Sequence, residues 1–497
     1  MMNSTDIFGI VIGALALIGL SLAIIRSLPR RWRRFFRSRL FSIRSWFLAS
    51  LYYPVLAPVL GFRPFRKRFD ILLFLIILAG NGCAVSIGAP NIQDVSKRLG
   101  HAALINLILL SFGARLNYLS NKWFCHYERH VTMHGLIGFV AAIEATLHTL
   151  LLSLESPPDL DQVRTVAGLV ACCGTGAALC SSICFFLPWL FDLYSMAHSS
   201  FAILILVSLW LHIPQGDLFE PPRLYILLAS TLFAGVKLMR LVTIAYLSRR
   251  SLATVQVDTN RTMIQISVRP TRTLDVRAGQ FFYLNLLDYS LTSAFRSHPF
   301  QVSWADRDTN GRQVLDFIVQ PRRGFTRKLL LADPRVQYKI ALEGPYGRHP
   351  RLEEYVTVLM FATNAGISGH LLYMKELFAL RQDPSTRTQK ISLFWEIDAE
   401  VYRYWVREWM DHLLGLDNES NGVEFLDLHV FVRGGYLSSE TEPGQIEQPG
   451  VRDRLTIHYY PLDARSQVAS EIEKRDGPTI ISRKLVLLCT KRILLKE

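Results

Sequence analysis

The chain has 497 residues, of which 50% are hydrophobic and only 19% are charged. This composition excludes an intrinsically disordered or fibrous protein and is more apolar than that of an average soluble protein. Basic residues outnumber acidic ones by 55 to 41, but twelve of them lie between Arg26 and Arg68 with no acidic residue among them. Because this basic block follows an apolar run, it is typical of the cytoplasmic flank of a membrane helix and argues against a nucleic-acid-binding protein.

Seven apolar stretches are long enough, at about 20 residues each, to cross the hydrocarbon core of a membrane. They are residues 7–25, 69–90, 99–119, 134–154, 164–187, 192–213 and 222–247. The first is followed by the basic block, which predicts an uncleaved anchor with its N-terminus outside. Residues 41–62 contain two prolines and favour an interfacial or re-entrant segment. Alternating orientation of the spans then leaves the chain beyond Arg250 on the cytosolic side.

Beyond Arg250 the pattern changes to short runs rich in β-branched and aromatic residues, separated by turn residues. These runs favour a small antiparallel barrel. From Tyr355, strand-like and helix-like segments alternate, which predicts a parallel sheet covered by helices. The sequence thus predicts four parts: an anchor and basic segment in 1–68, a membrane domain in 69–250, a barrel in 251–350 and an α/β domain in 351–497.

Four histidines share one spacing within the predicted spans. His134 and His148 lie 14 residues apart in one span, and His198 and His212 lie 14 residues apart in another. Fourteen helical residues return a side chain to nearly the same face and advance it by roughly 21 Å. If the two helices are neighbours, His134 faces His198 near the inner side of the membrane, and His148 faces His212 near the outer side. Each pair is then suited to axial ligation of one haem iron.

Hydrogen bonding and proton transfer are also compatible with intramembrane histidines. A single histidine in a membrane span is more often a hydrogen-bonding residue than a ligand, although two pairs at one spacing weaken this interpretation. A proton relay would need acidic companions along its path, and Glu144 is the only acidic residue in the interior of a histidine-bearing span. If both axial positions of each iron are taken by histidine, the haems carry electrons and do not bind oxygen at the iron.

Residues from about 70 to 488 resemble the fungal ferric-chelate reductases, which are relatives of the superoxide-generating NADPH oxidases. The resemblance rests on the paired histidines, on His298-Pro299-Phe300, on Gly324-Phe325-Thr326, on Gly344-Pro345-Tyr346-Gly347 and on the segment 361–377. It implies a multi-pass helical membrane bundle that binds two haems. It also implies a ferredoxin-reductase-like module that follows the bundle, with an antiparallel FAD-binding barrel and an α/β nucleotide-binding domain.

The resemblance assigns FAD binding to residues of the barrel. In the family a His-Pro-Phe-Ser/Thr tetrad binds the flavin, and the matching residues here are His298, Pro299, Phe300 and, in place of the hydroxyl residue, Gln301. Arg322 and the turn that contains Gly324 and Thr326 offer a cation and backbone amides suited to the FAD diphosphate. Gly344, Pro345, Tyr346 and Gly347 complete the predicted cofactor-binding residues of the barrel.

A second group of residues is expected to bind the pyridine nucleotide. Asn364, Gly366 and Gly369 lie between a predicted strand and a predicted helix, where a diphosphate would meet backbone amides and the helix N-terminus. Family members tend to carry Gly at the position of Asn364, and Asn tolerates the left-handed backbone conformation better than most residues. Cys489 matches a cysteine near the C-terminus of many relatives, but Thr490 follows it here where they carry Gly-Pro.

The resemblance implies an NAD(P)H-dependent ferric-chelate reductase embedded in a lipid bilayer. The expected cofactors are FAD, two haem b groups and NADPH or NADH, and the expected substrate is a chelated ferric or cupric ion. We expect the plasma membrane as its location, with the soluble C-terminal half in the cytosol and no nucleic-acid partner. Two alternatives stay open: a superoxide-generating oxidase, and a haem-binding membrane protein whose reductase activity is impaired by Gln301, Asn364 and the altered C-terminus.

Overall fold

The computed structural model describes most of the chain from residue 46 to residue 484. The described residues are 46–52, 67–113, 127–183, 191–287, 298–322, 325–347, 349–418, 424–438, 441–449, 454–474 and 477–484. They form two compact units, divided between Leu241 and Val242. The described part of the first unit is helical, and the second contains two β-sheets with their associated helices.

The first unit is a bundle of long apolar helices. They are α1 (Arg68–Ser86), α2 (Ile92–Ser111), α3 (Tyr127–Glu155), α4 (Val163–Ile183), α5 (Phe191–His212) and α6 (Arg223–Ser248), of which the last continues into the second unit. Within the described residues, four segments are long and apolar enough to cross a membrane: Arg68–Ser86, Arg129–Glu155, Val163–Ser182 and Arg223–Ser248; Met196–His212 is apolar but shorter. Large apolar side chains such as Ile76, Val207 and Leu241 are exposed on the bundle, as contact with lipid requires.

The helix α2 differs from the predicted span 99–119, because it begins at Ile92 and ends at Ser111. The side chain of Asn91 accepts a hydrogen bond from the Asp94 N–H at 2.8 Å and caps this earlier start. Arg98 lies on the helix and donates to two main-chain carbonyls just beyond α1, at 2.6 and 2.8 Å. A hydropathy pattern does not indicate this start of the helix, because the polar residues there form local hydrogen bonds. The anchor predicted at 7–25 lies outside the described residues, as does 41–62 except for its part within 46–52.

The first sheet of the second unit is a curled antiparallel sheet of seven strands. They are β1 (Leu252–Val257), β2 (Ile264–Arg269), β3 (Phe281–Leu286), β4 (His298–Gln301), β5 (Trp304–Arg307), β6 (Gln313–Val319) and β7 (Tyr338–Tyr346), in the spatial order β4-β3-β7-β1-β2-β6-β5. Alternate residues of β2 are buried, as expected when one face of a strand meets the core. Between β4 and β5, the N–H of Val302 donates to Gln280 and that of Ser303 donates to Asp316, at 3.1 and 2.8 Å. The segment joining the two edge strands thus bonds to both sides of the sheet and curls it into a barrel.

The second sheet has five parallel strands and one short antiparallel edge strand. Its elements are β8 (Thr357–Thr363), α8 (Ser368–Ala379), β9 (Lys390–Ile397), α9 (Arg407–Asn418), β10 (Leu426–Val432), β11 (Ile446–Glu447), β12 (Leu455–His458), α10 (Ala464–Glu473) and β13 (Thr479–Lys484). The spatial order is β11-β12-β10-β9-β8-β13. The chain leaves β8 towards β9 and later returns to the opposite side of β8 as β13. This reversal creates a switch point at the carboxyl end of β8, which is where open α/β sheets bind ligands.

The predicted fold class is confirmed. The structure contains the apolar helical bundle, the antiparallel barrel and the α/β domain that the sequence predicts. A short helix, α7 (Phe325–Lys328), connects the barrel strands β6 and β7. One continuous apolar core extends from barrel residues such as Phe317 to α/β residues such as Ile391, so the barrel and the α/β domain pack as one unit.

Candidate functional site

The four spaced histidines meet in two pairs between α3 and α5. The ring centres of His134 and His198 are 6.2 Å apart, with 63° between the ring planes. Those of His148 and His212 are 6.3 Å apart, with 79° between the planes. The structure therefore brings together the same partners that the 14-residue spacing predicts.

Hydrogen bonds fix the orientation of most of these imidazoles. Three of them donate from Nδ1 to a main-chain carbonyl of a neighbouring helix: His148 to Ser96 at 2.8 Å, His198 to Ala178 at 3.2 Å and His212 to Arg164 at 3.0 Å. Because a carbonyl only accepts, Nδ1 carries a proton, and Nε2 is the nitrogen left to bind a metal. A neutral imidazole held in this way is the form that ligates a metal.

The spacing of the rings suits a metal ion between them. Two metal–imidazole bonds of about 2 Å each, extended by half a ring on either side, separate the ring centres by roughly 6 Å. The observed separations of 6.2 and 6.3 Å agree with this geometry. Two imidazoles per site are a donor set that would hold an electron-carrying haem, so the residues present fit that group.

Two glycines allow the His148 and His212 rings to reach the neighbouring backbone. Gly100 lies four residues after Ser96, and Gly168 lies four residues after Arg164. A helical Cβ points back towards the N-terminus and would lie over the carbonyl that accepts the imidazole N–H. A Cβ on Gly100 would be 3.2 Å from the His148 ring, and one on Gly168 would be only 2.5 Å from Nδ1 of His212. Neither residue is among those predicted from the sequence, although glycine inside an apolar helix is the signal that could have found them.

The predicted FAD residues of β4 and β7 flank the same strand, β3. Phe281 on β3 pairs with Gln301 on one side and with Tyr346 on the other. Phe281 and Tyr346 also meet through their rings, with centres 5.7 Å apart, and Tyr283 joins the same aromatic cluster. His298, Pro299, Phe300 and Gln301 form β4, while Gly344, Pro345 and Tyr346 end β7. The structure therefore gathers two of the predicted motifs around one strand and adds Phe281, which no sequence motif indicates.

The third predicted FAD motif lies beside β4. The ring of Phe325 stacks on that of His298, with centres 4.8 Å apart and an angle of 12°. Next to it, the N–H of Arg322 donates to Oγ1 of Thr326 at 2.8 Å. Gly324 lies outside the described residues. The described members of this motif thus border the same end of the barrel as His298.

Gly347 is required by its surroundings at the end of β7. Its φ is +96°, and a Cβ there would be 2.9 Å from the carbonyl oxygen of Gly279. Both facts exclude an ordinary side chain. Glycine at this position therefore allows the end of β7 to lie directly against the backbone of Gly279.

The predicted nucleotide residues lie at the switch point of the parallel sheet. Asn364 and Gly366 belong to a short 3₁₀ turn directly after β8, and Gly369 lies in the first turn of α8. All three are buried. Lys484, the last residue of β13, pairs with Ala362 of β8, so β13 ends beside the turn that follows β8. Cys489 lies outside the described residues.

Asn364 does more at this turn than tolerate its backbone conformation. Its φ is +45°, in the left-handed region. Its side-chain amide donates to Asp398 at 2.7 Å, and its side-chain oxygen accepts from the Asp398 N–H at 3.0 Å. The Trp395 indole also donates to the Asn364 carbonyl, at 2.9 Å. Asn364 therefore ties the carboxyl ends of β8 and β9 together, a function that glycine cannot perform.

A partly buried contact joins the barrel to the α/β domain near Gly347. Glu376 on α8 accepts a hydrogen bond from the Ala278 N–H at 2.8 Å, and its other oxygen lies 3.3 Å from Nδ1 of His349. Burial raises the pKa of Glu376 above its ordinary value, against the opposing effects of the Ala278 N–H and of His349. The contact fixes the segments next to β3 and β7 relative to α8. The sequence offers no local signal for it, because its residues are far apart in the chain.

Comparisons with known proteins bear on both units. A family model described as an FAD-binding domain matches residues 247–350, which include all the predicted FAD residues of the barrel. The ferric reductase transmembrane component 3 of Saccharomyces cerevisiae is 22% identical over 296 residues, which cover 57% of this chain and 40% of that protein. The ferric/cupric reductase transmembrane component 2 of the same yeast is 21% identical over 296 residues, with the same coverage. The chain is therefore similar, over more than half of its length, to ferric reductases of yeast.

This relationship confirms the family resemblance, and it identifies the barrel as an FAD-binding domain. The chain spans about 40% of the length of the ferric reductases it matches. Among solved structures, the flavohemoglobin of Malassezia yamatoensis is 13% identical with a TM-score of 0.32, over 80% of this chain and 99% of that one. The FAD/NAD-binding domain of nitric oxide dioxygenase from Vibrio cholerae is 12% identical with a TM-score of 0.30, over 48% of this chain and 98% of that one.

Proposed function

We propose that the protein transfers electrons across a membrane, from NAD(P)H through FAD and two haem b groups to a chelated ferric ion, or a cupric ion, on the opposite side. The observation that carries this proposal is the pair of cross-helix imidazole sites, each with the ring spacing of a bis-histidine metal centre. The FAD-binding barrel and the ferric reductase relatives support the same reaction. As substrate we propose a chelate that is reduced before the metal is taken up.

The proposed cofactors divide the chemistry between them. FAD exchanges two electrons with a nicotinamide and single electrons with a haem, which itself changes only the charge of its iron. In this proposal His134 and His198 ligate one haem, and His148 and His212 ligate the other. The 14-residue spacing sets the two centres roughly 21 Å apart along the helices.

The protein's own groups prepare each centre for electron transfer. The carbonyls of Ser96, Ala178 and Arg164 hold three imidazoles in one tautomer, so that no rearrangement of the ligand is needed when the iron changes charge. Arg164 is held in return, because its Nε donates to the carbonyl of His212 at 2.8 Å. In the second unit, we propose that the end of β7 at Gly347 borders the FAD and that the turn at Asn364 borders the nucleotide.

The direction of transfer is assisted by membrane polarisation. We propose that the soluble unit is cytosolic and that the membrane is the plasma membrane, so electrons leave a negative interior. Moving one electron outward is then favourable by about 2.3 kcal/mol per 100 mV.

The test is spectroscopic and uses the purified full-length chain. We expect a low-spin b-type haem spectrum, which loses intensity in His198→Ala and in His148→Ala. The matched control is His101→Ala, which removes a bundle histidine outside the two pairs and is expected to keep the wild-type bands. Unaltered haem bands in both paired variants would contradict the proposal.

The acceptor is identified by a second measurement on the same preparation. NADPH or NADH is added with ferric chelate, with and without superoxide dismutase. We expect iron reduction to persist in the presence of the dismutase. If dismutase abolishes it, oxygen is the direct acceptor. If the haem is present but neither nucleotide reduces it, the proposed reductase activity is absent.

A further inference from the structure

A polar cluster from three helices lies inside the apolar bundle, and the proposed electron path does not use it. Asn81 on α1, Asn106 on α2 and Glu144 on α3 are all buried, with 6%, 2% and 4% of their surfaces exposed. The amide of Asn106 donates to Asn81 at 3.0 Å and to Oε2 of Glu144 at 2.8 Å. Burying these groups among apolar helices is costly unless each polar atom finds a partner.

The hydrogen bonds of this cluster leave one carboxylate oxygen unmatched. Both N–H groups of the Asn106 amide are used, and the amide of Asn81 donates to the Ile77 carbonyl at 2.8 Å. Within the described part of the chain, Oε1 of Glu144 is buried and has no hydrogen-bond partner. The side-chain oxygen of a glutamine would accept the same hydrogen bond from Asn106, so this contact alone does not explain a carboxyl group here. A bound proton would neutralise the charge that the carboxylate otherwise keeps in an apolar environment.

Glu144 lies close to one histidine pair and far from the other. It precedes His148 by four residues, which is about 6 Å along α3, and follows His134 by ten residues, which is about 15 Å. A negative charge on Glu144 therefore acts mainly on the His148–His212 centre. An electron that arrives there adds a second negative charge nearby, in surroundings that screen charges poorly.

We propose that Glu144 is a proton-binding site coupled to the electron on the His148–His212 centre. If that centre holds a haem, one-electron reduction of its iron from Fe(III) to Fe(II) would be accompanied by the transfer of one proton from water to the Glu144 carboxylate, which would become a carboxylic acid. When the electron passes on to the acceptor, the proton is released. The net charge of this part of the bundle then stays constant through each transfer. This inference rests on the proposed function, because the electron is the one that the reductase would carry.

Several more titratable groups lie on the helices packed around α3, and the experiment must distinguish them from Glu144 as proton-binding sites. Within about two turns of the cluster they are Cys83 on α1, His101 on α2, His148 on α3, and Cys172 and Cys173 on α4. The thiol of Cys172 donates to the carbonyl of Ala145, next to Glu144, at 3.9 Å. The combined variant Cys83→Ser, Cys172→Ser and Cys173→Ser controls for the three thiols. His101 needs its own variant.

The experiment is a redox titration of the purified haem-loaded protein between pH 6 and pH 8. In the wild type, one proton per electron changes the equilibrium constant for reduction of the His148–His212 centre about tenfold per pH unit, which is about 59 mV for one electron. We expect Glu144→Gln to abolish this dependence, and His101→Asn to retain it. Reduced-minus-oxidised infrared spectra should show a protonated-carboxyl band that Glu144→Gln lacks.

Each alternative result of this experiment has a distinct meaning. A wild-type haem spectrum with pH-independent potentials would overturn the proton site and leave the proposed function intact. Loss of the pH dependence in His101→Asn would assign the proton to His101 and also overturn the site. A potential that follows sodium concentration and not pH would show that a metal ion occupies the cluster in place of a proton. Absence of haem from the wild type would contradict the proposed function itself.

Discussion

Replacing Gly168 by alanine tests the histidine sites through a position that ligates nothing. The new Cβ would lie 2.5 Å from Nδ1 of His212, whereas ordinary contact begins at 3.4 Å. The imidazole must therefore retreat by about 0.9 Å, away from the Arg164 carbonyl to which it donates at 3.0 Å. Overpacking of this kind typically costs about 1–3 kcal/mol. Loss of the hydrogen bond that orients a ligand typically costs roughly 10–100-fold in metal affinity.

The assay is the haem content of the purified variant, from its reduced-minus-oxidised spectrum per mole of protein. We expect Gly168→Ala to lose up to about half of the wild-type haem, because only the His148–His212 site is disturbed. Gly176→Ala on the same helix is the matched control, since its Cβ would meet no atom within 4 Å. Gly100→Ala should have an intermediate effect, because its Cβ would meet the His148 ring at 3.2 Å.

Equal haem content and identical spectra in Gly168→Ala and Gly176→Ala would refute this role of Gly168. A loss of haem in Gly176→Ala as large as that in Gly168→Ala would refute it too, because the loss would then reflect a general effect on α4. Alanine is a better helix former than glycine by about 1 kcal/mol, so the control should be slightly more stable than the wild type.

Three further predictions concern the soluble unit. Asn364→Gly keeps the positive φ but loses both hydrogen bonds to Asp398. Thermal unfolding of the purified protein should therefore show a free energy of unfolding that is lower by about 1–3 kcal/mol. An unchanged unfolding temperature would mean that the ends of β8 and β9 do not depend on this contact. Gly347→Ala should reduce the FAD content of the purified protein, as measured from flavin absorbance, because the new Cβ would clash with the backbone of Gly279. Full occupancy by FAD would show that the end of the barrel can shift to make room for the Cβ. Burial, and then the proximity of His429, lowers the pKa of His458 to about 4. The unfolded chain therefore binds this proton more tightly than the folded protein does. The free energy of unfolding should have its full value above about pH 6.5 and decline by up to about 3 kcal/mol towards pH 4. The decline should be smaller in His458→Gln, and equal declines in both proteins would exclude His458 as its source.

The histidine pairing can be predicted from the sequence because it depends on a local periodicity. Fourteen residues of helix carry a side chain back to the same face, whatever the neighbouring helices are. The choice of backbone partner cannot be predicted, because it depends on which helices pack together. For this reason the spacing places His134 and His148 opposite α5, whereas it gives no indication of the role of Gly100.

The α/β domain shows the same distinction between local and distant contacts. The left-handed conformation of Asn364 follows from its residue type and its place after a strand, and the structure has φ at +45°. Its bonds to Asp398 depend on the neighbouring strand, 34 residues away. The contact between His349 and Glu376 spans a strand, a turn and part of a helix, and no pattern within a short window contains it.

The acceptors that orient three of the four imidazoles are main-chain oxygens, and this has a consequence for how such proteins diverge. Every amino acid supplies the same carbonyl, so the residues at positions 96, 164 and 178 are free to change without removing the acceptor. What must persist is the helix geometry and, for two of the three rings, a vacant Cβ position one turn later. Imidazoles anchored in this way tolerate many substitutions of the surrounding side chains, which is compatible with only 22% identity to a ferric reductase of yeast.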